Sequence, residues 1–282
     1  MFRHFKTSAA LALVAAAATA GVAVAGPSKP DVRSVEVGGG KSVHVSCSGV
    51  QKRDRPVVVL MAGLGDGLDA MAGFQETLSR SDRVCSYDRL GEGRSDQPNG
   101  PQSMKSTGAV LTKVIKKTAG GRPVVLVGHS LGGLIAARYA PEHRDTVKGV
   151  VLLDATSPTM VADLKRSIPA HATGPAADVR AQSLAVFAGQ SPERLVVEDG
   201  PVRSAGSIPV EVVEHGQRYL EALPQYGPAL EKAWAAGQRS WLKLSWNSSI
   251  RTAKDAGHYV HVDAPRVAVD AVQRVVAKAS HR

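Results

Sequence analysis

Short runs of β-branched and other apolar residues recur along the chain, bounded by Gly, Pro or Asp: Val43–Cys47, Pro56–Met61, Arg83–Tyr87, Pro123–Val127 and Val147–Leu153. Runs of this length predict strands. Between them Leu68–Arg80, Ser103–Ala119 and Leu131–Ala140 carry apolar residues at helical spacing. Strands alternating with helices predict an α/β fold, a mostly parallel doubly wound sheet with helices on both faces. Ile208–Val213 and Ile250–Ala253 extend the series of strands, and Gly227–Leu244 and Pro265–Ala279 the series of helices. The stretch from Thr156 to Ser207 breaks the alternation and is too long for an ordinary connection. Helical spacing in Thr159–Ile168 and Ala176–Ala188 predicts that this insertion, about residues 156–207, is a helical cap.

The first residues, Met1–Lys6, are basic, and Ser8–Ala25 is an almost unbroken Ala/Leu/Val run that closes on Ala23-Val-Ala25 before Gly26-Pro27. A charged start, a short apolar run and a small-x-small end predict a signal peptide over residues 1–25, with Ala18-Thr-Ala20 as an alternative cut and retention as a membrane anchor as the rival. Residues 26–282 are then expected to form one exported domain with no stable membrane anchor. The formal charge is +10, and it drops by two when Arg3 and Lys6 are removed. The remaining cations are interleaved with acids, the densest group being Lys113, Lys116 and Lys117 on one expected helix face, and aromatics are only 4%. That argues against nucleic acid as a partner, which would want gathered basic residues with stacking rings. Two cysteines occur, Cys47 and Cys85, and in an oxidising compartment they are expected to pair. The bond would close a loop of about 38 residues and contribute up to roughly 4 kcal/mol.

Chemistry concentrates in Pro123-Val-Val-Leu-Val-Gly128-His-Ser130-Leu-Gly132-Gly133, where an apolar strand runs into Gly-x-Ser-x-Gly and then into a helix. A side chain held on so sharp a turn needs glycine on either side, where a Cβ would strike the neighbouring backbone. The serine oxygen is pushed clear of the strand, and the amide of Leu131 at the helix start points where an oxyanion would form. Ser130 is therefore the candidate nucleophile.

Four segments together resemble the α/β-hydrolase fold family: Leu60-Met-Ala-Gly63-Leu64-Gly65, Tyr87-Asp88-Arg89-Leu-Gly91-Glu-Gly93-Arg94-Ser95, the Ser130 motif, and Asp255-Ala-Gly257-His258-Tyr-Val-His261. The resemblance implies Ser130 as nucleophile, His258 as general base and the amides of Leu64 and Leu131 as oxyanion hole. Its strand order makes the second and fourth strands neighbours, which supports the Cys47–Cys85 bond. Many members carry His-Gly where this chain has Ala62-Gly63, so other hydrogen bonds are expected to hold that turn. After Ile208–Val213, where many members place the acid, only Glu214 is offered; Asp154, closing the strand after the nucleophile helix, occupies a position some members use instead. Asp154 is the expected acid, with Glu214 and then Asp178 as alternatives. His261 is the alternative base, His129 is expected to pack in the elbow, Asp88 to cap a turn, and Trp234, Trp241 and Trp246 to belong to the core.

A serine nucleophile points to acyl transfer on a small-molecule substrate, an ester or related acyl compound, with no cofactor and no metal. Amide, lactone and carbon–carbon bond cleavage and perhydrolysis would use the same residues. Among rivals, Val57–Met61 followed by Gly63-x-Gly65, with Asp88 further on, approaches a dinucleotide-binding fingerprint, but its third glycine is replaced by Leu68. His258 and His261 with Asp263 could ligate a metal, but an i, i+3 pair in a loop with no third His nearby argues against it, and a catalytically silent binding protein would leave the three catalytic candidates unexplained.

Overall fold

A computed structural model describes residues 30–280, so the expected leader, with both its cleavage sites, lies outside the described residues. In chain order the elements are β1 Asp31–Gly38, β2 Lys41–Ser48, β3 Val57–Met61, α1 Ala72–Ser79, β4 Val84–Tyr87, α2 Met104–Ala119, β5 Val124–His129 and α3 Leu131–Tyr139. They continue with β6 Val147–Leu153, α4 Met160–Ser167, α5 Pro175–Phe187, β7 Val210–His215, α6 Gly227–Ser240, β8 Ser248–Ala253, α7 Val260–Asp263 and α8 Pro265–Ser280.

The strands form one eight-stranded sheet in the order β1-β2-β4-β3-β5-β6-β7-β8. β2 runs antiparallel to both its neighbours, β1 and β4; β4, β3 and β5 through β8 are parallel to one another. Because strand side chains alternate between faces, each central strand feeds two cores. Val57, Val59 and Met61 of β3 enter the core shared with α2 and α3, while Val58 and Leu60 enter the one shared with α1 and α8. Burial on both faces is what erases polar alternation from these strands.

Three features depart from the expected pattern. β1 was not anticipated: it is an edge strand in which only Val35 and Val37 are buried. The helix expected at Leu68–Arg80 opens as a 3-10 turn, Leu68–Met71, before α1, because the Asp88 carboxylate accepts the Leu68 amide at 2.6 Å. The helix expected at Gly227–Leu244 ends at Ser240 and continues as a 3-10 turn, Trp241–Leu244. Cys47 and Cys85 stand opposite each other across β2 and β4 and are bonded. Helices α4 and α5, between β6 and β7, share with α6, between β7 and β8, a small third core built on Leu164, Ile168 and Ala176. Among the described residues no helix is long and apolar enough to cross a membrane.

Candidate active site

The carboxyl ends of β3, β5, β6 and β8 gather the residues singled out from the sequence. β3 and β5 are neighbours that the chain leaves in opposite directions, the position where open α/β sheets form a crevice. Ser130 follows β5 with φ 49 and ψ −120, a left-handed conformation that a non-glycine residue holds only when its surroundings enforce it. The enforcement is visible on both sides. A Cβ on Gly128 would sit 2.3 Å from the Gly132 carbonyl oxygen, and one on Gly132 would sit 2.4 Å from that of Met61. The Ser130 amide donates to Leu153 at 3.1 Å, and its carbonyl accepts from Thr156 at 3.0 Å. Its Oγ lies 3.5 Å from Thr156 Oγ1.

Ser130, His258, Leu64 and Leu131 line one cavity of about 230 Å³. Its walls are apolar, supplied by Met160 and Leu164 of α4, Val179 and Phe187 of α5, and Leu230 and Trp234 of α6. Asp154 is fully buried, and its Oδ2 accepts from His258 Nδ1 at 2.7 Å. With Nδ1 committed, the Nε2 of His258 is the nitrogen left for proton transfer. Glu214 is not part of the cluster: its carboxylate accepts from Thr252 at 2.8 Å. Asp178 does not line the cavity either.

Asp154 has further partners that the sequence did not reveal. Its Oδ1 accepts from His215 Nδ1 at 2.8 Å, from the His215 amide at 3.3 Å and from Trp234 Nε1 at 2.9 Å. Burial by itself raises the Asp154 pKa, but the hydrogen bonds from His215 and His258 more than reverse this and keep the carboxyl below its usual range. Trp234 is thus part of the site as well as the core. Trp241 is buried as expected, and Trp246 is 87% exposed, against expectation.

The Ala62-Gly63 turn is held by Arg89, which donates to the Ala62 carbonyl at 2.7 Å and to the Gly63 carbonyl at 2.8 Å. Arg89 is itself paired with Glu193 at 2.6 Å, both side chains being almost inaccessible. A buried cation that satisfies two carbonyls fixes the peptide leading to Leu64, and the buried anion keeps that cation charged. Burial lowers the Arg89 pKa, and the facing Glu193 carboxylate outweighs it.

His129 packs in the elbow as expected, donating Nε2–H to the His258 carbonyl at 2.9 Å. Its pKa is lowered to about 3, chiefly by burial and then by the neighbouring His258 and His261, so it is neutral. His261 is buried away from the cavity. Asp88 caps its turn through the Leu68 and Arg94 amides. Among the described residues no three His, Cys, Asp or Glu side chains are grouped to hold a metal ion; Asp263 instead accepts the Gly257 amide at 2.9 Å.

The chain belongs to the α/β-hydrolase fold family, whose family model matches residues 56–255. A human (Lyso)-N-acylphosphatidylethanolamine lipase is 30% identical over a segment covering 37% of this chain, and that segment is 31% of the lipase, less than a third of its length. Two solved structures show the same fold: the enol-lactonase of Burkholderia xenovorans LB400 at TM-score 0.61 and 18% identity, covering 86% of this chain and 99% of that one. The other is a proline iminopeptidase of Mycobacterium smegmatis, at TM-score 0.63 and 14% identity, covering 89% of this chain and 99% of that one.

Proposed function

We propose that the protein is a secreted serine esterase acting on esters of apolar carboxylic acids. The observation that carries this is the buried Asp154 hydrogen-bonded to His258 at 2.7 Å, with His258 facing the same apolar cavity as the strained Ser130. In this reading His258 Nε2 takes the Ser130 proton as Oγ attacks the ester carbonyl. The amides of Leu64 and Leu131 receive the oxyanion, and the Asp154 carboxylate steadies the imidazolium. His258 then returns the proton to the leaving alcohol, and water, activated by the same base, releases the acyl group.

The cavity supports an ester over a peptide N-terminus. An α-ammonium group wants a free carboxylate, and the one acid on the wall, Asp163, is already taken by Ser157, Thr159 and Arg166. Two of the similar proteins named above are a lipase and a lactonase; the third is an iminopeptidase. Helices α4 and α5 would serve as the cap, within the insertion of about residues 156–207. The leader over residues 1–25 would direct export, which the Cys47–Cys85 bond suits.

A small cavity of about 230 Å³ with apolar walls suits a short to medium acyl chain rather than a long one. Against p-nitrophenyl esters, kcat/KM is expected to peak between about four and eight acyl carbons and to fall at least about tenfold at palmitate. Folded protein that cleaves proline β-naphthylamide but none of these esters would sink the proposal.

A further inference from the structure

The ring of His215 is wedged between two carboxylates. Nδ1 faces Asp154 Oδ1 at 2.8 Å, and Nε2 faces Glu231 Oε1 at 2.7 Å. His215 and Glu231 side chains are 4% and 8% exposed, and Asp154 is wholly buried. An ionised carboxylate only accepts hydrogen bonds, so a ring bonded to one at each end needs a proton on both nitrogens and carries a positive charge. Burial opposes that charge, and the two carboxylates overcome it, lifting the His215 pKa to about 9. Glu231 has no other holder: its second oxygen is buried without a partner among the described residues. Leaving a carboxylate oxygen so placed is costly, and the one group it serves is the His215 ring.

We propose that His215, backed by Glu231, is a positioning residue for the hydrolysis: it fixes Asp154 against His258 and, by sharing the Asp154 charge, loosens that carboxylate's hold on the His258 imidazolium. His258 is thereby kept free to act as a base in more acidic water. This rests on the reading of Ser130, Asp154 and His258 given above. Without His215 the full Asp154 charge would favour the protonated, inactive ring, and activity would be lost at higher pH on the acid side. Other groups face the pair from every packed element. His215 meets Tyr219 at 4.8 Å and Trp234 of α6 at 6.5 Å between ring centroids. His258 meets His129 at the end of β5 at 4.6 Å, Tyr219 at 5.7 Å and Tyr259 at 5.7 Å, with Asp66 and His261 beyond Tyr259. None of these changes when His215 alone is replaced, so the replacement removes its charge together with its bond to Glu231.

The test is the His215→Asn variant, whose amide keeps a donor at the Nδ1 position but cannot be charged. The acid limb of kcat/KM for p-nitrophenyl hexanoate is expected to move up by about 0.5 to 1 pH unit, with plateau kcat within about tenfold of the parent. A limb that stays in place or moves down overturns the proposal. The parent protein provides a second readout independent of turnover and of that variant's folding: nitrogen NMR of the His215 ring at pH 7.5. Two protonated ring nitrogens are expected, and one bare nitrogen overturns the proposal. Failure of the underlying reading looks different: Ser130→Ala would keep its activity whatever the state of the His215 ring.

Discussion

Replacing Ser130 by alanine is expected to remove at least about a thousandfold of ester hydrolysis while the protein stays folded, because a nucleophile acts as a unit with its base and only binding and oxyanion stabilisation remain. The substitution leaves the elbow intact. Its geometry is set by Gly128, Gly132 and the backbone bonds to Leu153 and Thr156, and alanine carries the same Cβ. Unchanged melting together with lost p-nitrophenyl hexanoate turnover and lost fluorophosphonate labelling is the expected pattern. Parent-rate hydrolysis by folded Ser130→Ala, after blank subtraction, would remove Ser130 from the mechanism.

The second large effect is expected at Asp154. Asp154→Asn should lower kcat by between about a hundred and ten thousand, since an amide facing His258 Nδ1 favours the wrong ring tautomer. The loss should be the deeper because Asp154 Oδ1 already accepts from Trp234 and His215, which directs the carbonyl of asparagine to them and its amide nitrogen to His258 Nδ1. Glu214→Gln should change kcat less than about tenfold, because Glu214 bonds Thr252 on β8 rather than the His258 ring. The reverse ranking in two folded variants would place the acid at the end of β7 and refute the role given to Asp154.

The sequence exposed whatever is dictated locally. β3, β5 and β6 were legible because strands buried on both faces need unbroken apolar runs, and the Ser130 elbow because its turn tolerates only glycine at its flanks. β1 escaped because one face is solvated and only Val35 and Val37 are buried, so its apolar signal is thin. His215, Glu231 and Arg89 escaped for a different reason: their roles arise where distant strands and helices meet, and nothing local separates a buried charged side chain from a solvated one. Part of a signal was available. Neighbouring strand residues point to opposite faces, so of Glu214 and His215 only one could turn toward Asp154, and the bond from its ring shows that it is His215.

The bonds around Glu193 also decide which part of the cavity wall is held. Besides the Arg89 pair, Gln102 grips the Glu193 and Arg194 carbonyls, and Val196 returns a bond to Gln102 at 2.9 Å. Asp199 ties the end of the insertion to the start of α4 through the Val161 and Ala162 amides. Helix α5 lies between these fastenings and buries only Ala176, whereas α4 buries Asp163, Leu164 and Ser167. Backbone amides of α5 should accordingly exchange with solvent well before those of α4, and equal protection of the two helices would show that α5 is held as firmly. The share of the wall that would yield to a bulky acyl group is then the one α5 supplies, Val179 and Phe187, set by where the span is fastened rather than by what lines the cavity.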